Sequence, residues 1–354
     1  MKIVLTGGGT AGHVTPNIAL LPGLREMGFD EIHYIGSIDG IEKNLIADCP
    51  GVTYHQVRTG KLRRYRSLKN LSDPFRVVGG YRDAKKLMKK IRPAVVFSKG
   101  GFVSVPVVWA AKRYKVPVVS HESDITPGLA NKLAKAAATK ICVNFPDTLK
   151  EIPAPLGVYT GTPIRASLYS GDPEKARFEL GFDDKPVVLI MGGSLGARAL
   201  NVAVRSAIPE ILEKYNIIHL CGKGNLNSDL DGLSGYRQFE FVSEDLPDYL
   251  ALADMIVSRA GANAIHEFLA LRKPMLLIPL PLSASRGDQI LNAKSFESRG
   301  IARVLEEEKL TDDTLMAGLE DLYDHRSELT DRMRKDTIVN GTEKVLEVIK
   351  SVLK

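Results

Sequence analysis

Two glycine-rich turns, each straight after an apolar run, constrain this chain more than any other feature. The first is Gly7-Gly8-Gly9-Thr10-Ala11-Gly12-His13, after Lys2-Ile3-Val4-Leu5-Thr6. The second is Gly192-Gly193-Ser194-Leu195-Gly196-Ala197-Arg198, after Val187-Val188-Leu189-Ile190-Met191. A strand that breaks into glycines and restarts as a helix points backbone N–H groups and a positive dipole end at one spot. Two such turns, roughly 185 residues apart, imply two nucleotide-type domains facing one cleft.

The rest of the chain repeats this rhythm. Apolar runs at 2–6, 31–36, 53–58, 94–98, 116–120, 139–144 and 157–160, then at 186–191, 216–221, 237–242, 254–257, 274–278 and 301–304, alternate with helical patterns. Most are continuous, not alternating, which suits parallel strands covered on both faces. The fold class expected is α/β, with open doubly wound parallel sheets built from right-handed βαβ units. With 354 residues, two domains fit. The break falls near Gly161-Thr162-Pro163, where prolines 146, 153, 155 and 163 cluster, giving domains 1–162 and 163–337. Residues 340–354 read as a last amphipathic helix, whose packing partner its own sequence does not reveal.

Cys49, Cys142 and Cys221 are far apart and odd in number. They suggest neither a disulfide framework nor a metal site, and point to a reducing compartment. No signal peptide is expected at the start, and no run approaches the roughly 20 apolar residues of a membrane span. The net charge of +6 is uneven. Residues 61–90 carry eleven basic and two acidic side chains, or +9, so the remainder sums to −3. Lys61, Arg63, Arg64, Arg66, Lys69 and Arg76 interleave with Leu62, Leu68, Leu71, Phe75 and Val78. That pattern suits an anionic membrane surface; it also suits a core stripe with a solvated basic face, with Pro74 interrupting or starting a helix. Scarce aromatics and the lack of a recognition motif argue against nucleic acid.

Gly7, Gly9 and Gly12 fit G-x-G-x-x-G, but a dinucleotide site also wants an acid at the end of the second strand. None stands there before Asp39. A Walker loop needs lysine where His13 stands. His13, at an expected helix start, should have its pKa lowered by the dipole and so stay a neutral base, unless it only caps or packs. Ser98-Lys99-Gly100-Gly101-Phe102-Val103-Ser104 forms another strand-to-helix turn whose lysine could receive a phosphate. His121-Glu122-Ser123-Asp124 follows a strand, where such sheets bind ligands, and makes Glu122 and Asp124 reserve candidates for proton transfer. Glu267, following Ser258-Arg259-Ala260-Gly261-Ala262-Asn263, could take ribose hydroxyls or merely complement a helix dipole. Asp288 and Gln289 could bond a sugar or simply start a helix.

Taken together, these segments resemble the UDP-N-acetylglucosamine:lipid I N-acetylglucosaminyltransferase family of peptidoglycan synthesis, two-domain GT-B enzymes. The resemblance runs nearly end to end. It rests on Gly8-Gly9-Thr10-Ala11-Gly12-His13, Gly100-Gly101-Phe102-Val103-Ser104, Gly161-Thr162-Pro163-Ile164-Arg165, the second glycine turn, and the stretch from Ser258 to Glu267. It implies a membrane-facing acceptor domain first and a UDP-sugar donor domain second, with residues 338–354 returning to the first. Val242 would read uracil through its backbone, and Glu267 would hold the ribose. Arg165 and Ser194 would bind the diphosphate, and Gln289, with Asp288, the sugar. The helix start Ala262-Asn263-Ala264-Ile265-His266 would line the donor site, and Thr10-Ala11-Gly12 would close over it. Where the family commonly has His-Glu-Gln-Asn, this chain has His121-Glu122-Ser123-Asp124, so Asp124 puts a charge where an amide is usual. That charge is either offset nearby or takes a base-like role, and Asp124 is also counted among the substrate-binding candidates.

The activity this implies is inverting transfer of N-acetylglucosamine from UDP-GlcNAc to the 4-hydroxyl of the muramic acid sugar in membrane-embedded lipid I, giving lipid II. His13 is the first candidate base, and no metal or cofactor is expected. The location implied is peripheral, on the cytoplasmic face of the cell membrane. Alternatives are a related enzyme with another lipid acceptor, such as diacylglycerol, a UDP-sugar epimerase, a nicotinamide enzyme, and a non-catalytic membrane scaffold.

Overall fold

The computed structural model describes residues 1–60, 69–193, 196–336 and 340–353. Lys61, Arg63, Arg64, Arg66 and Ser194 lie outside the described residues, and so does the side chain of Phe75. The chain divides into two compact units, Met1–Arg165 with Asn340–Lys354, and Ala166–Val339.

In the first unit seven strands form one sheet: β1 (Lys2–Thr6), β2 (Glu31–Ser37), β3 (Val52–Val57), β4 (Val95–Ser98), β5 (Val118–Glu122), β6 (Lys140–Val143) and β7 (Gly157–Tyr159). Their order is β3-β2-β1-β4-β5-β6-β7, and every pairing is parallel. The apolar run of β1 has a simple cause. Ile3 and Leu5 enter one core, with Leu20, Leu24, Val345 and Ile349, while Val4 enters another on the opposite face, with Met88, Val107 and Val108. Because alternate side chains leave opposite faces of a strand, both sets must be apolar when helices cover both sides.

The second unit repeats this plan with β8 (Val187–Met191), β9 (Asn216–Leu220), β10 (Tyr236–Phe239), β11 (Met255–Ser258), β12 (Met275–Leu277) and β13 (Arg303–Val304). The order is β10-β9-β8-β11-β12-β13, again parallel. Each strand order reverses once, beside β1 and β4 and beside β8 and β11. Such switch points open a crevice at the carboxyl ends of the strands. The glycine turns follow β1, β4 and β8, so all three lie at those ends.

The last helix, Thr342–Ser351, packs on the first unit. Val345 and Ile349 are fully buried in its core. A Cβ on Gly23 would fall 2.2 Å from Leu346 Cδ1, so the helix Thr15–Glu26 leaves that spot empty for it. The Gly341 N–H donates to Thr162 O at 2.9 Å, and the Ile164 N–H to Thr342 Oγ1 at 3.1 Å. These bonds hold the Gly161-Thr162-Pro163-Ile164 segment in the first unit, so the division falls after Arg165.

The helix Lys69–Ile91 runs through Pro74 without interruption. Among the described residues no helix is long and apolar enough to cross a membrane. The three cysteines are free.

Ile349→Ala should lower the unfolding free energy by about 2–5 kcal/mol, the usual cost of emptying a buried aliphatic site. Urea unfolding measures it. A loss below about 0.5 kcal/mol, the range of neutral surface changes, would mean the helix is not part of the core.

Candidate active site

The first glycine turn is held from three sides. Tyr34 Oη donates to Gly7 O at 2.8 Å, and Asn17 Nδ2 to His13 O at 3.0 Å. The Gly9 N–H donates to Glu42 Oε2 at 3.2 Å. Glu42 is fully buried, and its Oε1 also accepts from Ser37 N at 2.9 Å and Ser37 Oγ at 2.5 Å. An acid therefore does stand just past β2, but it binds the protein's own turn. The sequence reading missed Glu42; its spacing five residues after Ser37, with a helix start between, was the available signal.

The turn after β4 packs directly on the first. Gly101 has φ +81°, and a Cβ there would lie 2.3 Å from Gly8 O and 3.2 Å from His13 Cδ2. Lys99 corrects an expectation. It is only 1% exposed, and its ammonium donates to His121 Nδ1 at 2.9 Å and to Ser123 Oγ. It is thus occupied inside the unit and does not stand free for a phosphate. Burial lowers its pKa to about 8, against the pull of Glu122 and Asp124. An ammonium has no acceptor, so the His121 Nδ1 must carry the lone pair and Nε2 the proton. That Nε2 lies 3.0 Å from Gly161 O, which brings the Gly161-Thr162-Pro163 motif against the His121 loop.

Glu122 is buried and saturated. Its Oε1 accepts from the backbone of Ser123 (2.9 Å) and Asp124 (3.1 Å). Its Oε2 accepts from Gly128 N (3.0 Å) and Asn131 Nδ2 (2.8 Å). Burial raises its pKa even so, with Asp124 adding to the shift. The carboxylate shapes the loop that carries Asp124.

His13 ends a short 3₁₀ turn, Ala11–His13, that follows Thr10 and precedes the helix Thr15–Glu26. Its ring is half-buried, and Nδ1 is enclosed without a hydrogen-bond partner. Its pKa falls to about 4, chiefly through burial, then through the charge of Lys99, with Glu42 opposing. The expected direction is present, but its leading cause is burial and not the helix dipole. At neutral pH this imidazole is uncharged and able to accept a proton.

In the second unit a cavity of about 410 Å³ opens at the switch point, lined by Gly192, Gly193, Arg198, Arg259, Gln289 and Glu307 among others. Gly193 has φ +91° and open space where a Cβ would be, whereas a Cβ on Gly196 would strike Cys221 O at 2.2 Å. One glycine leaves room and the other permits close packing. Ser258 Oγ ties β11 to β8 through Met191 O at 3.0 Å. Arg259, 8% exposed, donates to Ile278 O at 3.0 Å and is paired with Glu307. This buried pair also escaped the sequence reading, because its partners lie 48 residues apart.

Of the residues expected in the donor site, Ala264 and Gln289 line this cavity. Gln289 Oε1 accepts from Leu280 N at 3.0 Å. Val242, Asn263, Glu267 and Asp288 do not line it. Glu267 is half-buried on the helix Ala262–Ala270, Val242 is buried, and Asp288 pairs with Arg286 at 2.6 Å. Ile265 and His266 turn inward: Ile265 is wholly buried, and His266 Nδ1 donates to Ala262 O at 2.7 Å beneath Phe296. Helical periodicity puts their side chains on the core face. Arg165 ends the first unit. Among the described residues no group of three or more His, Cys, Asp or Glu could hold a metal ion.

Two parallel-sheet units, each with a glycine turn at its switch point, are the architecture of GT-B glycosyltransferases. The glycosyltransferase family 28 N-terminal domain matches residues 3–143 and the family 28 C-terminal domain residues 187–351. The chain belongs to this family. It is 56% identical over 350 residues, 99% of this chain and 98% of the relative, to the UDP-N-acetylglucosamine--N-acetylmuramyl-(pentapeptide) pyrophosphoryl-undecaprenol N-acetylglucosamine transferase of Lachnospira eligens. It is 54% identical over 349 residues, 98% of this chain and 97% of the relative, to the transferase of the same name in Clostridium tetani. Among solved structures, Acinetobacter baumannii MurG superposes with a TM-score of 0.76 at 27% identity, covering 99% of both chains.

The histidine shift has a consequence for stability. His13 takes up its proton near pH 4 when folded and near 6.5 when unfolded. Between those values the unfolded chain binds more protons, so stability falls as pH falls. Wild type should lose roughly 1–2 kcal/mol more than His13→Asn between pH 7.5 and 5, at about 1.4 kcal/mol per pH unit. Urea unfolding at each pH decides it; parallel curves for the two proteins would contradict the shift.

Proposed function

We propose that this chain is the inverting glycosyltransferase that moves N-acetylglucosamine from UDP-GlcNAc to the 4-hydroxyl of the muramic acid sugar in lipid I. The product, lipid II, is the unit for peptidoglycan growth and so for cell shape and division. The observation that carries this is identity above one half, over nearly the full length, with transferases of that name. A sugar epimerase on the same fold is not favoured by these relatives.

In this reading His13 is the general base. Its uncharged imidazole takes the proton of the attacking hydroxyl, a role worth roughly 10²–10⁴-fold. Departing UDP gains negative charge, which Arg165, Ser194 and the N–H groups opening the helix Arg198–Lys214 stabilise. Glu267 holds the ribose, and the Val242 backbone reads uracil. Gln289 and Asp288 meet the sugar, and Asn263 and Ala264 carry the helix-start contacts, since Ile265 and His266 face inward. Thr10, Ala11 and Gly12 act as a flap on the donor. Glu122 works as the brace of its loop.

The enzyme works as a peripheral protein on the anionic cytoplasmic face of the membrane that holds its acceptor. Two features support this. The basic run from Lys61 to Arg76 is one. The other is an exposed patch where Trp109, Leu129 and Leu133 stand 38%, 47% and 44% exposed. Lys112 lies 5.2 Å from the centre of the Trp109 ring, with exposed Arg113 and Lys132 nearby in the chain. Aromatic and aliphatic groups among lysines and arginines suit a lipid headgroup layer.

His13→Ala should lower turnover at least about 100-fold while UDP affinity stays within a few-fold; near-normal turnover would remove His13 as base. Glu267→Ala should instead weaken UDP binding, seen by calorimetry, and an unchanged dissociation constant would refute the ribose contact. Neutralising Arg63, Arg64 and Arg66 together should weaken binding to anionic vesicles, most strongly at low salt. Binding indifferent to both mutation and salt would remove the electrostatic anchor.

A further inference from the structure

We propose that Glu307 is a positioning residue of the cavity in the second unit, which holds Arg259 in the wall and offsets its charge, so that the cavity does not favour departed UDP over the donor. This role deepens the reading of the cavity as part of the donor site and rests on it. Three of the residues that line the cavity carry charge, Arg198, Arg259 and Glu307. Glu307 is thus the one carboxylate among the described residues of the lining, in a place that has to take an anion.

The backbone sets both members of the pair. Arg259 follows β11 directly, and Glu307 opens the short turn Glu307–Lys309 after β13. Neighbouring strand ends are tied together, the Ile278 N–H donating to Ser258 O at 2.8 Å and the Leu305 N–H to Leu277 O at 3.0 Å. The guanidinium is held at two points, by Ile278 O at 3.0 Å and by Glu307 Oε2. The two side chains are only 9% and 20% exposed. The Arg259 Nε–H is enclosed and has no acceptor among the described residues, so the protein does not saturate the guanidinium.

A buried arginine needs a counter-charge, and here the counter-charge also faces the ligand. It repels the phosphates that the guanidinium attracts, and the repulsion grows with ligand charge. In UDP-GlcNAc each phosphate is esterified at both ends and keeps one ionised oxygen. Transfer breaks the bond between the anomeric carbon and the phosphate oxygen, and the electron pair stays on that oxygen. The terminal phosphate of UDP then has a second proton to lose, near about pH 6. At neutral pH the product therefore carries close to one more negative charge than the donor. A wall bearing an uncompensated guanidinium would hold UDP the more tightly of the two and slow its release. A paired wall removes much of that preference.

The test is calorimetric binding of uridine, UDP-GlcNAc and UDP to wild type, E307Q and R259Q in the full chain, at a pH well above the phosphate pKa. E307Q keeps a hydrogen-bonding amide and loses the negative charge. It should tighten UDP at least about tenfold, UDP-GlcNAc about threefold and uridine less than about twofold. R259Q should act with the opposite sign, weakening UDP most, UDP-GlcNAc less and uridine least. A merely structural pair would move all three ligands together, and in the same direction in both variants; that outcome overturns the proposal. Affinities that neither variant moves overturn it too, while the donor reading stands as long as wild type binds UDP. If E307Q does not fold, R259Q alone decides through the order of its losses, and equal losses for uridine and UDP overturn the proposal. A wild type that binds neither UDP nor UDP-GlcNAc refutes the donor reading and the proposal with it.

Discussion

The site of the first unit depends on two backbones that touch. The turn after β4 meets the turn after β1 so closely that Gly101 has no room for a Cβ beside Gly8 O and His13. That contact and a φ of +81° call for glycine at 101, while a Cβ on Gly8 would strike the Glu42 carboxyl at 2.5 Å, so the two loops form one floor. Tyr34, Asn17 and Glu42 brace the floor from below. His13 is enclosed as a result, and enclosure is the leading reason its imidazole stays uncharged.

Charge in both units is handled by internal pairing. Glu42 and Glu122 lie at the carboxyl end of the first sheet, yet their oxygens are taken by N–H and O–H donors of the turns they support. In the second unit Glu307 partly neutralises Arg259 at the wall of the cavity. A lone buried arginine there would be costly. The Gly193 opening and the helix start beside it add N–H donors without a further buried charge.

The architecture was legible because its cause is local. A strand covered on both faces needs apolar side chains in both directions, so β1, β4, β8 and β11 appear as unbroken runs and the glycines mark where they stop. Pairing across the chain was not legible. Nothing near Lys99 in sequence says that its ammonium will meet His121 and Ser123, or that Arg259 will find Glu307. Lys99 reads as a surface cation beside a helix start until burial is known. The helix Ala262–Ala270 shows the same limit within one element: the segment carries the family pattern, but the 3.6-residue turn sends Ile265 and His266 into the core and leaves Ala264 at the cavity. Pro74, which reads as interrupting or starting a helix, is passed without a break in the described helix Lys69–Ile91.

On the reading proposed above, His13 of the first unit removes the proton, and Arg165 at the end of that unit joins Ser194 and the helix start of the second in stabilising the leaving group. Such an enzyme is inert toward its donor until an acceptor hydroxyl is present, whereas an epimerase on this fold needs no second substrate. The direct measurement is UDP release from UDP-GlcNAc with and without a lipid I analogue. The account predicts release that rises with acceptor, saturates, and matches disaccharide product one to one. UDP released at the same rate without acceptor, or UDP-GlcNAc converted to its epimer, would contradict it.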